Sequence, residues 1–157
     1  ENLRFWDTIS NNHSIKKRNN NIAHIAKTAA LEDYLHKKVD QLSGGLKRRL
    51  NIAVALLSNP DILIMDEPTV GMDINSRAEM VSFIKQLSLN GTTIIYVSHH
   101  PDEIEQLCNH IICLNQGNLV FNGTQEELKA LYPQGTTIHD IIFKISNTTK
   151  VTNNERK

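Results

Sequence analysis

The segment Leu42–Arg49 reads Leu-Ser-Gly-Gly-Leu-Lys-Arg-Arg and stands at the start of a pattern that is typical of an amphipathic helix. Ser43 is a favoured N-cap, because its hydroxyl oxygen can accept a hydrogen bond from a backbone N–H of the first turn. Gly44 and Gly45 leave the first-turn N–H groups accessible, and a helix N-terminus attracts anions, phosphate above all. The pattern predicts a helix over residues 44–58. An ordinary capped helix fits the same residues, so this segment alone does not establish a phosphate site. The predicted apolar face contains Leu46, Leu50, Ala53 and Leu57.

Composition excludes several classes of function. The chain has 157 residues, which is enough for about one domain with a real core. Its 17 basic and 17 acidic side chains give a formal net charge of zero, which removes the general electrostatic case for binding nucleic acid or an anionic membrane. Cys108, His110 and Cys113 could be drawn as a metal cluster, but their spacing fits no recognised ligand motif. Two reduced core thiols are the favoured interpretation.

Downstream of the helix, the chain alternates between predicted strands and helices. The apolar run in residues 61–66 predicts a strand buried on both faces, and it ends in two acids, Asp66 and Glu67. Asp73 can cap a long helix that runs to about Leu89, and residues 92–97 predict a second buried strand that leads to His99. This order predicts an α/β layered domain with a parallel sheet. Ligands of such sheets bind at the carboxyl ends of the strands.

The flanking regions are predicted to be mostly helical. Residues 1–10 predict a short helix that buries Leu3, Phe5 and Trp6, residues 11–20 a polar loop, and Asn21 the cap of a second helix. Beyond His99 we expect, in order, a helix from Pro101, a hairpin over residues 111–121, a helix opened by the capping box of residues 124–127, a helix over residues 138–145, and a polar, disordered tail. The expected segments are 1–58 (helical), 59–132 (α/β) and 133–157 (a short helix and the tail).

Three features together predict phosphate chemistry. A carboxylate at a strand end, such as Asp66, suits Mg²⁺, which bridges phosphate oxygens. The adjacent Glu67 can orient or deprotonate an attacking water, and His99 can donate a hydrogen bond to a terminal phosphate oxygen. Each residue could be purely structural when taken singly. In this order, after an anion-attracting helix start, they favour phosphoryl transfer.

These motifs resemble the ATPase domain of ABC transporters over residues 1–132, in its C-terminal two-thirds. The resemblance implies an incomplete P-loop NTPase-like α/β fold: a helical subdomain followed by a parallel-sheet core. The match rests on four motifs in order and a glycine-flanked hairpin after them. The four are Leu42-Ser43-Gly44-Gly45 (signature), residues 62–69 (Walker B), Val70-Gly71-Met72-Asp73 (D-loop) and Ser98-His99 (switch histidine).

The resemblance also implies roles, residue by residue. Asp66 would hold Mg²⁺, Glu67 would polarise the hydrolytic water, and His99 would contact the γ-phosphate of ATP. Asp73 would communicate across a dimer. Ser43, Gly44 and Gly45 would bind the ATP held by the opposing ATPase subunit, which can be identical or different. Closure of that dimer would drive a transmembrane permease subunit, with the protein on the cytoplasmic face of the membrane and no nucleic acid as partner.

Two departures from the family pattern are informative. Residues 46–49 read Leu-Lys-Arg-Arg, so Leu46 stands where the family usually has Gln. This sequence resembles that of the drug- and antibiotic-exporter branch. No G-x-x-x-x-G-K-[ST] phosphate loop occurs in the 157 residues, so this loop and the Q-loop are expected before Glu1. We therefore expect the isolated chain neither to bind ATP tightly nor to hydrolyse it.

Two other readings stay open. One is a soluble ABC-type ATPase that acts on ribosomes or DNA, which the D-loop sequence and the neutral charge disfavour. The other is a non-catalytic module that supplies Ser43, Gly44 and Gly45 in trans. The intact Asp66, Glu67 and His99 argue against a degenerate site.

Overall fold

The computed structural model describes residues 1–10 and 14–152, which form two compact units, Glu1–Val97 and the residues from Ser98 onward. This division differs from the three segments that the sequence predicts. The first unit contains helices α1 (Asn2–Ser10), α2 (Ile15–Thr28), α3 (Gly44–Leu56) and α4 (Ile74–Leu89), two 3₁₀ turns (Glu32–Tyr34 and Val39–Gln41), and strands β1 (Ile62–Asp66) and β2 (Thr93–Val97). The second unit contains helices α5 (Pro101–Leu107), α6 (Gln125–Ala130) and α7 (Ile138–Thr152), and strands β3 (His110–Asn115) and β4 (Asn118–Thr124).

Strands β1 and β2 form a parallel pair whose register places Asp66 opposite Val97. Helix α4 connects them along the chain, and its inner face, which includes Met80, Val81, Ile84 and Leu87, is buried. The predicted α/β order with a parallel sheet is therefore confirmed.

The prediction that β1 is buried on both faces is wrong. Leu63 and Met65 are buried, whereas Ile62 and Ile64 are 56% and 68% exposed. Successive side chains of a strand point to opposite faces, so one whole face of β1 is open. Apolar composition alone could not distinguish this arrangement from a doubly covered strand.

The N-terminal helices depart from the prediction in two ways. Phe5 and Trp6 are largely exposed, whereas the charged Asp7 is fully buried together with Leu3. Helix α2 begins at Ile15, so residues 15–20 are helical and not a loop, and Asn21 lies within the helix. Asn21 therefore does not cap the helix but makes tertiary hydrogen bonds, which local sequence cannot reveal.

The second unit follows the local signals of the sequence closely. Gln116 and Gly117 have φ values of 48° and 77°, as the two central residues of a tight hairpin turn require. The capping box at Thr124 opens α6 as predicted. Helix α7 runs to Thr152, beyond the predicted end at Ile145, and residues 153–157 of the expected tail lie outside the described residues. The core consists of Ile111, Leu128, Ile138 and Ile141.

The two cysteines belong to this second core. Cys108 and Cys113 are partly buried and pack against its apolar cluster, as free thiols. Burial raises the pKa of each thiol, because the thiolate loses solvation. Core thiols, as expected from their spacing, are confirmed.

The chain contains no helix, among those the structure describes, that is both long and apolar enough to span a bilayer.

Candidate nucleotide-hydrolysis site

The two acids predicted from the sequence lie where β1 ends. Asp66 is the last residue of the strand and is exposed, and Glu67 follows it and is partly buried. The Glu67 backbone N–H donates to the Val97 carbonyl at 2.9 Å, which extends the pairing with β2 by one residue. The parallel pair therefore holds both acids at its carboxyl end.

Glu67 has an unusual backbone conformation. Its φ of 45° lies in the left-handed region, which residues other than glycine, asparagine and aspartate seldom adopt. Such a conformation costs about 1–3 kcal/mol and occurs preferentially at functional sites. The Glu67 carbonyl accepts a hydrogen bond from the Val70 N–H at 3.2 Å, so the turn that follows helps to hold this conformation. The sequence contained no signal for this strain.

The start of α3 has the predicted cap. The Ser43 hydroxyl oxygen accepts a hydrogen bond from the Leu46 N–H at 3.3 Å, and the Ser43 carbonyl accepts one from the Lys47 N–H at 2.9 Å. Among the described residues, a methyl group built at Gly44 would have no atom within 4 Å apart from its chain neighbours and the backbone of its own helix. The first turn contains no acidic side chain. The positive helix end is therefore open on the side of Gly44.

A groove runs along this open start and was not predicted. Its walls are α3 and the turn that joins β1 to α4. The lining residues are Gly44, Lys47, Arg48, Asn51, Val70, Gly71 and Met72. The two basic side chains give the groove a positive potential that adds to the partial charge of the helix end.

The start of α4 lies beside the start of α3. Asp73 caps α4, because its two carboxylate oxygens accept from the Ser76 backbone N–H at 2.9 Å and from the Ser76 hydroxyl at 2.7 Å. These hydrogen bonds from Ser76 lower the pKa of Asp73. A methyl group built at Gly45 would lie 3.7 Å from the Ser76 Cβ. Ser76 therefore lies beside two residues predicted for the site, Gly45 and Asp73. Its position three residues after an N-cap indicates the bond to Asp73 but not the proximity to Gly45.

His99 belongs to the second unit, two residues beyond the end of β2 along the chain. It is exposed, and its ring centroid lies 4.3 Å from that of His100. The Ser98 hydroxyl donates to the buried Glu103 at 3.0 Å and accepts from the His100 N–H at 3.1 Å, which holds the loop. His100 occupies the N-cap position of α5, but its side chain makes no capping bond.

The donor set fits a magnesium ion and part of a nucleotide site. Mg²⁺ prefers carboxylate and water oxygens, and the exposed Asp66 leaves room for an ion that keeps several waters. For ATP, the 157 residues offer the strand-end acids, the open helix start and His99, but no glycine-lysine phosphate loop. These residues are of the types that hydrolysis of a nucleotide requires.

Several known proteins are similar to this chain. A sequence model of the ABC transporter family matches residues 1–70. The linearmycin resistance ATP-binding protein LnrL of Bacillus subtilis is 41% identical over 130 residues, which are 82% of this chain and 41% of LnrL. The ABC transporter ATP-binding protein NatA of the same organism is 35% identical over 130 residues, 82% of this chain and 52% of NatA. Over 82% of its length the chain is therefore similar to ATP-binding proteins of ABC transporters.

The fold is also that of a solved member of the family. CbiO1 of Clostridium perfringens, part of the ABC transporter complex CbiONQ, superposes with a TM-score of 0.75 at 23% identity, over 99% of this chain and 59% of CbiO1. This confirms the predicted ABC ATPase fold. Among the relatives, the daunorubicin resistance ATP-binding protein DrrA3 of Streptomyces coeruleorubidus is 39% identical over 100 residues, 64% of this chain and 32% of DrrA3. The chain spans about half, or less, of the length of these relatives.

Proposed function

We propose that this chain supplies the signature helix and the hydrolytic residues of an ATPase that drives an ABC-type exporter. The observation that carries the proposal is the end of β1. There Asp66 is exposed, Glu67 is held in a strained left-handed conformation, and the turn that follows leads directly to the helix cap Asp73. ATP and Mg²⁺ are the proposed ligands.

Each residue has a distinct role in this proposal. Asp66 would hold Mg²⁺, which would supply charge neutralisation for the phosphate oxygens. Glu67 accepts a proton from the attacking water or orients it, and His99 donates a hydrogen bond to the γ-phosphate. The open start of α3, at Ser43, Gly44 and Gly45, binds the phosphate that a second ATPase subunit holds, and Asp73 lies at the same dimer contact.

The exporter assignment is supported by the names of the relatives. LnrL and DrrA3 are named for drug resistance, and the Burkholderia thailandensis relative, 40% identical over 100 residues (64% of this chain and 33% of that protein), is named a Nod factor export ATP-binding protein. We propose that this chain likewise works with a transmembrane permease subunit, on the cytoplasmic face of the membrane, and dimerises with a second ATPase subunit.

A chimera tests the hydrolytic role. The 157-residue chain replaces the matching segment of LnrL, which provides the remainder of the domain. We expect Mg²⁺-dependent ATP hydrolysis by the chimera, and a loss of about 100-fold or more in kcat for Glu67→Gln, because the general base is removed while the shape is kept. The matched control is Glu79→Gln, since Glu79 is an exposed acid of the same unit that pairs with Arg49 at 2.8 Å.

Two results would contradict the proposal. One is a chimera that folds and binds ATP but does not hydrolyse it. The other is a Glu67→Gln variant that hydrolyses ATP at the rate of the Glu79→Gln control. Purified isolated chain is expected to show no turnover, so activity there that disappears with Glu67→Gln would overturn the expectation that further residues are needed.

A further inference from the structure

Helix α1 carries a buried carboxylate that none of the roles above uses. Asp7 is 0% exposed, although its helical neighbours Phe5 and Trp6 are 59% and 41% exposed. Burial of a carboxylate is costly unless charged and hydrogen-bonding partners surround it. The partners of Asp7 must therefore offset the cost of its burial, and they identify the elements that Asp7 joins.

The first partner is a charge on the next helix. The Arg18 Nε of α2 lies 3.3 Å from the Asp7 Oδ2, and the Arg18 side chain is 24% exposed. This pair joins α1 to α2 by an ionic contact that is shielded from water on the Asp7 side.

The second partner extends the contact to a third helix. The Asn21 side-chain nitrogen donates one hydrogen to the Asp7 Oδ1 at 3.1 Å and the other to the Leu57 carbonyl at 3.0 Å. Both acceptors require the nitrogen, so the orientation of the amide is determined. Leu57 is the C-cap of α3 and is itself buried, with 1% exposure. The hydrogen bonds that link Asp7, Asn21 and Leu57 thus connect α1, through α2, to the end of α3.

We propose that Asp7 is a positioning residue, which fixes the C-terminal end of α3 through the Asn21 amide and so sets the orientation of the Ser43–Gly45 start of that helix. A helix of 13 residues is stiff, so anchoring one end restricts the other. The proposal rests on the function proposed above, in which that start binds phosphate. Helices α1, α2 and α3 then move as one body.

Hydrogen exchange of the isolated chain tests the anchor directly. Asp7→Ala removes the acceptor for Asn21, and we expect exchange of the α3 amides to accelerate by about tenfold, with α4 and the second unit changing by less than about twofold. Asn21→Ala, at a less buried position, should reproduce this pattern. Asp7→Asn keeps an oxygen that can accept from Asn21 and should stay within about threefold of the natural sequence. The exposed-acid control is Asp33→Ala, which should change nothing.

The pattern of exchange decides between anchoring and general stability. Faster exchange throughout α4 and the second unit in Asp7→Ala would overturn the proposal, because it would show a loss of global stability. Equal acceleration by Asp7→Asn and Asp7→Ala would also overturn it, because the hydrogen bond through Asn21 would then not be the route.

A kinetic measurement separates this inference from the proposed function. In the LnrL chimera, Asp7→Ala should lower kcat about tenfold and leave the KM for ATP within about twofold, since the start of α3 is misplaced but the nucleotide is held elsewhere. If the chimera with the natural sequence is inactive, the proposed function fails, and the exchange experiment still decides the role of Asp7. An active chimera whose kcat is insensitive to Asp7→Ala would overturn the positioning role alone.

Discussion

Helices α3 and α6 both begin with a hydroxyl N-cap, but the surroundings of their first turns differ. At α6, the Thr124 hydroxyl accepts from the Glu127 N–H at 3.1 Å, and the Glu127 carboxylate accepts from the Thr124 N–H at 2.7 Å. At α3, the Ser43 hydroxyl oxygen accepts a hydrogen bond from the Leu46 N–H. Two acids follow the cap of α6, and none follows the cap of α3. At the start of α6, side chains of the same helix pair with backbone N–H groups and neutralise the positive helix end. At the start of α3, N–H groups and the positive end remain available to a ligand.

The glycines at the two starts differ in the same way. A methyl group at Gly123 would lie 2.6 Å from the Glu127 Oε2 and 2.9 Å from the Phe121 ring, so this glycine makes room for the capping box. A methyl group at Gly44 would contact no other element of the described structure within 4 Å. Packing explains Gly123. No packing contact within the described structure requires a glycine at position 44. The open space there would allow a ligand to approach the backbone closely.

The largest expected effect comes from blocking the open start. In the chimera, Ser43→Arg should reduce ATP hydrolysis by at least about 100-fold, because a bulky side chain displaces the phosphate from the helix end. Binding of ATP measured by equilibrium dialysis should be unchanged, since in the dimer each nucleotide is held mainly by the subunit opposite the α3 start that contacts its phosphate. Thr124→Arg, at the closed start, should leave hydrolysis intact. Normal hydrolysis by Ser43→Arg would show that α3 does not bind phosphate in trans.

The next effect is on stability and has opposite signs at the two glycines. Gly123→Ala should lower the free energy of unfolding by about 1–3 kcal/mol, because Glu127 and Phe121 must move. Gly44→Ala should raise it by about 0.4–1 kcal/mol, because the position is open and the unfolded chain loses freedom. Urea unfolding of the isolated chain measures both. Destabilisation by Gly44→Ala would reveal a structural demand at the α3 start and weaken the contrast.

The smallest effect concerns the ionisation of Asp73 beside the open start. Ser76→Ala removes one of the two hydrogen bonds to this carboxylate, so its pKa should rise towards the ordinary value while remaining lowered by the backbone N–H. A folded-state pKa below the unfolded value stabilises the fold above the unfolded pKa, and this contribution disappears as pH falls through the folded pKa. The variant should therefore lose less stability on acidification.

Carbon-13 titration of the carboxyl groups measures this change. Asp140, whose pKa is lowered chiefly by the Thr137 hydroxyl, provides the internal control and should titrate as before. An unchanged Asp73 in Ser76→Ala would show that Ser76 does not organise the junction of α3 and α4.

The sequence by itself determined the features that depend on contacts three or four residues apart. The caps Ser43, Asp73 and Thr124 each bond to the third residue after them, and the turn at Gln116 and Gly117 needs only its own backbone angles. The acids at the end of β1 were also predictable, because an apolar run followed by a polar pair marks a strand end.

Only the tertiary structure decided which side chains are covered and which are brought together. The sequence presented Phe5 and Trp6 as core residues and Asn21 as a cap, yet the fold buries Asp7 and uses Asn21 to join three helices. It also opened one face of β1, strained Glu67 and placed Ser76 between Gly45 and Asp73. The physical reason is that burial and long-range hydrogen bonds depend on which elements pack together. Local propensity determines where a helix begins, but not what its faces contact.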